Sequence, residues 1–400
     1  MIKRKKNRAI VKIPKEFLIL SWVSLSGFII IILVASGLGD KFQQFVSLAD
    51  SFLHGKLFLL GNTTSYYDAA FYQGHYYWPL GPFPALILLP FVFISSALPW
   101  QSYLHPLLIL ATFVTVFLLG LNITKNRISS FWASFGYIFS TAYIGLATNS
   151  TSWTFAQVVE NLLIFLAILG IFRKWHPFVI GLFLAAAIAT RIDMIFTLIF
   201  FLIIFWLKEG KIAEKIKNIF YFLVPVFISL ISLVFYNFVR FGSFFEQGYS
   251  FQKLVYPEFI ANRAAGVWSL VHFPANLFYL FLSGPEPILK HGTQILVFPY
   301  LQPNLWGMSI FITSPMLLAI FAANYKNRSV LASALTAFAI FLFVMGYYGI
   351  GFMQFGYRYA LDFYPFLLII FLFAVQKKFP NWVKMLIFIT FFTNLYLLFL

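Results

Sequence analysis

The chain has 400 residues, of which 61% are hydrophobic and 21% aromatic while only 10% are charged, with a mean hydropathy of +0.87; soluble domains carry about 25% charged residues, so a water-soluble fold is excluded. The net charge of +16 would raise nucleic acid as a partner in a soluble protein, but here the basic residues flank apolar runs, so lipid is the expected partner and nucleic acid is not. Cysteine is absent, which removes disulfides, thiolate metal sites and thiol nucleophiles.

Apolar stretches of about 20 residues recur from end to end, and a segment crossing lipid must satisfy its backbone hydrogen bonds internally, so they are predicted to be helices. The alternation of a membrane β-barrel is missing. The expected fold is all-α, a polytopic transmembrane helical bundle. Residues 1–16 form a basic tail with Lys3, Arg4, Lys5, Lys6, Arg8, Lys12 and Lys15. The apolar run 17–36 that follows is longer than a signal-peptide core and reads as a retained signal anchor, which leaves the tail cytoplasmic.

With the first helix running from inside to outside, later spans are predicted near 103–123, 129–147, 156–172, 177–190, 194–207, 219–238, 305–323, 329–350, 362–375 and 383–400, about eleven crossings in all. The pair at 177–207 is short enough to form a shallow hairpin instead. Lys125/Arg127, Arg173/Lys174, the four lysines at 208–217, Lys326/Arg328 and Lys377/Lys378/Lys384 then fall inside together with the tail, accounting for 20 of the 28 basic residues. That is the distribution cytoplasmic loops carry. Two outer segments, 37–101 and 241–304, are too long for turns and too rich in aromatics for linkers, so ordered loops with interfacial helices are expected. One of these helices is the apolar stretch 82–98, since a full crossing there would invert the charge pattern downstream. No separate soluble domain is visible, and residues 17–400 read as one membrane domain.

The acidic residues are sorted the other way. Of twelve, only Glu16, Glu209 and Glu214 fall inside; Asp40, Asp50, Asp68, Glu160, Asp193, Glu246, Glu258, Glu286 and Asp362 fall outside or near the outer helix ends. Insertion rules do not demand this, and ionisable groups at membrane depth are functional candidates. Asp40 stands directly after the first helix, where a carboxylate anchored at a fixed depth suits a base meeting a lipid-borne substrate, or a helix cap. Lys41 beside it offers a point charge for a phosphate. Arg191 and Arg358, at outer helix ends, are phosphate-binding candidates whose alternative is pairing with Asp193 and with Asp362. Asp68, His75, Tyr76 and Tyr77 lie in a tyrosine-rich loop that suits sugar stacking or an aromatic belt. Glu160 is a carboxylate inside a span that needs a partner.

The pattern of an Asp after the first membrane helix, an aromatic soon after it, Ala49, Gly55 and then Gly81-Pro82-Phe83-Pro84 before an apolar helix resembles the GT-C glycosyltransferases, among them the protein O-mannosyltransferases and lipid A aminoarabinose transferases. The segments Tyr67-Asp68-Ala69-Ala70-Phe71-Tyr72-Gln73-Gly74-His75-Tyr76-Tyr77-Trp78-Pro79, Asn237-Phe238-Val239-Arg240-Phe241-Gly242, Gln247-Gly248-Tyr249 and Phe355-Gly356-Tyr357-Arg358-Tyr359-Ala360-Leu361-Asp362 are also similar to that group, and they bring Arg240, Tyr249 and Tyr359 into the expected substrate site. The resemblance implies transfer of a sugar from a polyprenyl-phosphate donor to an acceptor hydroxyl on a glycan, lipid or protein, at the outer face of a prokaryotic plasma membrane, usually with inversion and with Asp40 as base. Many relatives carry a second acid after that Asp; here Lys41 stands there, which speaks against a paired-acid metal site. No cofactor is indicated, and no phosphate loop, zinc helix or nucleophile elbow is found. A transporter, flippase or polysaccharide polymerase is the alternative; transporters tend to show internal repeats and midplane charges, and neither is seen.

Overall fold

The computed structural model describes residues 15–38, 42–60 and 68–399. The chain enters as α1 (Lys15–Leu38) and continues through α2 (Gln44–Leu53), a hairpin of β1 (Ala70–Tyr72) and β2 (His75–Tyr77), α3 (Phe83–Ile94), α4 (Trp100–Thr124), α5 (Arg127–Phe139), α6 (Tyr143–Ala147) and α7 (Ser152–Phe172). Next come α8 (Pro177–Thr190), α9 (Leu198–Leu207), α10 (Ile212–Phe241), α11 (Pro257–Ala264), α12 (Phe273–Phe281) and a second hairpin of β3 (Glu286–Leu289) and β4 (Leu296–Gln302). The chain closes with α13 (Ile310–Thr313), α14 (Arg328–Met345), α15 (Tyr364–Ala374) and α16 (Asn381–Leu398). The fold is helical as expected, and the two antiparallel hairpins hold the only sheets among the described residues.

Among the described residues six helices, α1, α4, α7, α10, α14 and α16, are long and apolar enough to cross a membrane, which makes the chain a multi-pass membrane protein. The charge pattern predicted about eleven crossings; the others are short or interrupted. At about 1.5 Å per residue α3 spans roughly 18 Å, well short of a hydrocarbon core of about 30 Å. The predicted span 129–147 breaks between α5 and α6, where neighbours take up the freed polar groups: Ser140 Oγ donates to Ile387 O at 2.7 Å and the Ala142 N–H to Ser314 Oγ at 3.0 Å. Irregular backbone at membrane depth survives only with such partners. The span predicted at 305–323 becomes α13 followed by a 3-10 stretch, Pro315–Ala322, because Pro315 cannot continue an α-helical ladder. Residues 194–207 and 362–375 likewise begin in 3-10 turns, Ile192–Thr197 and Arg358–Asp362. The span 329–350 stops at Met345, where glycines at 346, 349, 351 and 356 replace helix formers.

The core lies around α7, which is buried on nearly every side and mostly apolar, as an interior membrane helix should be, with Gln157, Glu160 and Asn161 among its buried polar groups. α8 packs against it and against α10. Contact between α8 and α10 depends on Gly181, where a Cβ would come to 2.2 Å from Phe222 O; small residues let membrane helices approach in this way. Between α4 and α5 the turn is fixed by Lys125 in the left-handed region (φ 55°) and by Asn126, whose side chain accepts from the Ile128 and Ser129 N–H groups at 2.9 and 3.0 Å. At the basic end of the bundle Glu16 pairs with Lys384 and accepts from Trp132 Nε1 at 2.6 Å, joining the starts of α1, α5 and α16. The start of α7 and the ends of α8 and α14 lie at the opposite end.

Candidate active site

At that opposite end a cavity of about 810 Å³ opens between the start of α7, the turn after α8, the end of α14 and the loops 245–259 and 346–359. Its size is that of a small-molecule site. Its walls carry Trp153, Tyr249, Tyr347, Tyr348 and Tyr359, and among the described residues its charged groups are Asp68, Arg191, Asp193, Glu246 and Arg358.

The first loop reaches this cavity because it is stapled to α4 and α7. Ser152 Oγ donates to Phe42 O at 2.8 Å, the Gln44 N–H donates to Ser152 Oγ at 3.0 Å and the Phe45 N–H to Gln101 Oε1 at 2.8 Å. These bonds satisfy the first N–H groups of α2, for which Gln43 provides no side-chain cap. Phe42 thereby lines the cavity and stacks near Trp153, ring centroids 5.5 Å apart. Asp40 and Lys41, the predicted base and its neighbour, lie outside the described residues. The segment 79–81 forms another wall, and only glycine fits at 81, where a Cβ would sit 2.1 Å from Ala189 O at the end of α8.

The two arginines differ in what holds them. Arg191 follows α8 in an extended conformation, which turns its guanidinium across to Asp362 Oδ2 at 2.5 Å, with Asp193 Oδ2 at 3.6 Å. Asp362 takes a second bond from Gln157 Nε2 at 2.9 Å. Both carboxylates are nearly or fully buried, so Arg191 is committed to them. For Arg358 the alternative to phosphate binding was pairing with Asp362, four residues on. That pair does not form, because the segment is a 3-10 helix, in which residues four apart point about 120° away from each other. Arg358 donates instead to Tyr359 Oη at 3.2 Å and stacks over that ring at 4.9 Å, and among the described residues it has no ion-pair partner. Among the described residues it is the cavity cation without an ion pair.

Asp68 faces the cavity from a left-handed backbone (φ 60°). Burial pushes its carboxyl above the usual carboxylate range, and the charge of Arg358 pulls partly the other way. Folding thus favours the protonated form. At acid pH, where Asp68 is protonated in folded and unfolded chains alike, Asp68→Asn is expected to change stability little, and as pH rises above the unfolded value of about 4 the wild type alone bears the cost of burying a carboxyl that resists ionisation. Melting temperatures should therefore separate with rising pH, the Asn variant being higher. Burial also pushes the Tyr249 phenol up to about 12, so it stays a neutral hydroxyl donor.

Of the residues expected in the substrate site, Asp68, Arg191, Asp193, Tyr249, Arg358 and Tyr359 line the cavity. Asp362 and Glu160 lie beneath it in the protein interior, Glu160 accepting from Asn161 Nδ2 at 3.1 Å. His75, Tyr76, Tyr77 and Arg240 are not on the cavity. The β1–β2 hairpin turns through Gln73 and Gly74, both with positive φ, the geometry of a two-residue hairpin loop. His75 stacks on Phe58 at 4.0 Å, Tyr76 accepts from Lys253 Nζ at 3.2 Å, and Tyr77 packs against Phe241 at 5.1 Å. Arg240 serves this second cluster: it donates to Trp78 O and Asn237 Oδ1, each at 2.9 Å, and lies 3.9 Å over the Tyr236 ring. Arg240→Met is therefore expected to destabilise the fold by about 2–4 kcal/mol, read as faster thermal inactivation, with normal activity per folded molecule.

Sequence reasoning missed Tyr347 and Tyr348, which line the cavity from a stretch read as the end of a span, and Gln354 just beyond it. The stretch's signal was the run Gly346-Tyr347-Tyr348-Gly349-Ile350-Gly351, which suits a turning backbone better than a helix. Trp153, Gln252 and Asn149, also on the wall, gave none. Among the described residues no three His, Asp or Glu side chains come together as a metal site.

No protein-family model and no curated protein matches the sequence. Among solved structures the chain is similar to ArnT, a GT-C glycosyltransferase, from Cupriavidus metallidurans. The ArnT structure bound to undecaprenyl phosphate superposes with a TM-score of 0.52 at 12% identity, over 92% of this chain and 62% of that one. The apo structure gives 0.53 at 11% identity, over 92% and 61%. The chain spans about three fifths of the ArnT length, and the likeness is one of fold: the bundle is built as in that GT-C enzyme.

Proposed function

We propose that the chain is a membrane glycosyltransferase that moves a sugar from a polyprenyl-phosphate donor to an acceptor hydroxyl of a glycan, lipid or protein at the outer face of the plasma membrane. The observation that carries this reading is Arg358, a guanidinium that forms no ion pair among the described residues, in an aromatic-walled cavity at the end of the bundle. A planar cation left open in such a place suits a phosphate held by paired, charge-assisted hydrogen bonds. The carrier class follows the ArnT structure, which holds undecaprenyl phosphate.

In this mechanism the acceptor hydroxyl gives its proton to the Asp40 carboxylate as its oxygen attacks the anomeric carbon. The bond from that carbon to the phosphate oxygen breaks, and polyprenyl phosphate leaves with the electron pair, its new charge met by Arg358. Attack opposite the leaving group inverts the anomeric centre. Phe42, two residues after Asp40, is on the cavity wall, which is where such a base is needed. Arg191, tied to Asp362 and Asp193, is the rigid floor post against which Tyr359 and through it Arg358 are set. The tyrosines and Trp153 offer flat faces to the sugar. The test is retention of undecaprenyl phosphate by the purified protein in competition with uncharged undecaprenol: preference for the phosphate supports the reading, and equal retention removes it.

A further inference from the structure

Along the β3–β4 hairpin no residue is buried, yet most are apolar. Leu296, Phe298 and Tyr300 are 49%, 77% and 51% exposed, and Ile295 and Leu301 beside them are exposed too. A two-stranded hairpin with nothing packed on it is marginal in water, and an apolar surface of this kind marks a contact. Its position says with what. Tyr396, in the last turn of α16, donates its hydroxyl to Pro299 O and so ties β4 to the end of a helix long and apolar enough to cross the bilayer. Phe388, Ile389 and Phe392 of that helix are exposed outward, as lipid-facing residues are. Tyr396 and Tyr300 then stand at the height where interfacial aromatics gather.

We propose that the hairpin lies in the headgroup zone of the bilayer that the chain itself spans, with Leu296, Phe298 and Tyr300 against lipid. It goes no deeper, because the outer edges of a two-stranded sheet carry unpaired N–H and C=O groups that hydrocarbon cannot satisfy. Lys290 and His291, in the turn between the strands, meet the polar side. The strand continues into Leu305 and Trp306, whose carbonyls accept from the Gln354 N–H at 3.3 Å and Gln354 Nε2 at 2.7 Å. Gln354 lines the cavity. Holding the hairpin at the interface therefore fixes the height of the cavity wall relative to one leaflet; the docking itself does not depend on the proposed reaction.

The absence of native cysteine allows a direct test. Phe298→Cys and, independently, Leu296→Cys are labelled with an environment-sensitive fluorophore and the full chain is placed in nanodiscs, where both faces meet solution. Quenching is compared among lipids with a nitroxide near the headgroup, lipids with one deep in the acyl chain, and aqueous iodide. Both labels are expected to be quenched several-fold more by the shallow nitroxide than by either alternative. Dominant iodide quenching would place the hairpin in water and overturn the proposal. So would strongest quenching by the deep nitroxide, or shielding from all three that grows with the number of chains per disc, which would mean that a second copy covers it.

Discussion

Replacing Arg358 with methionine should leave the protein folded and inserted but weaken its hold on polyprenyl phosphate and slow transfer by about 100- to 1000-fold, the usual loss when one preorganised donor to developing charge is removed. Stability should barely change, since among the described residues Arg358 has no ion pair to lose and gives up one hydrogen bond and a stacking contact with Tyr359. Arg191→Met behaves differently. It leaves Asp362 and Asp193 without their cation, and stranded buried carboxylates are strongly destabilising. Measuring retention of undecaprenyl phosphate beside the melting temperature separates the two arginines: the first variant loses ligand and keeps its melting point, and the second loses its melting point.

Asp40→Asn is expected to stop sugar transfer, with a loss of about a hundred- to ten-thousandfold, while donor retention stays near that of the wild type. The amide occupies the same volume but cannot accept the acceptor's proton. Because Arg358 is untouched in this variant, binding and chemistry part company. A variant that transfers sugar normally would remove Asp40 from the mechanism, and one that no longer retains undecaprenyl phosphate would make it a binding group instead.

Much of this molecule could be read from one dimension because lipid imposes simple rules. Basic residues gather at one end of the helices, and the long spans and the short apolar helix α3 follow from length and hydropathy. Where the reading failed, contacts distant in sequence had decided the outcome. Arg191 and Asp362 are 171 residues apart, and nothing local couples them. Local spacing instead suggested Arg358 with Asp362, an inference valid only for an α-helix. Arg240 was placed in the site because the segment around it resembles the GT-C group, but its partners are a carbonyl at Trp78 and a ring at Tyr236. Strands of three residues, as in β1 and β2, are too short to show a period of two, and only Gln73-Gly74 hinted at the turn. The cavity's Tyr347 and Tyr348 carry no charge to betray them, and hydropathy folded them into the preceding span.

Sugar transfer itself is the most direct test. Purified protein is added to envelope membranes from its source organism lacking their own copy, which supply native donor and acceptor, and free polyprenyl phosphate is followed over time. The wild type is expected to release polyprenyl phosphate in step with glycosylation of the acceptor, and the Asp40→Asn protein to release almost none. No release by the wild type, or equal release by both, would contradict a glycosyltransferase driven from this cavity.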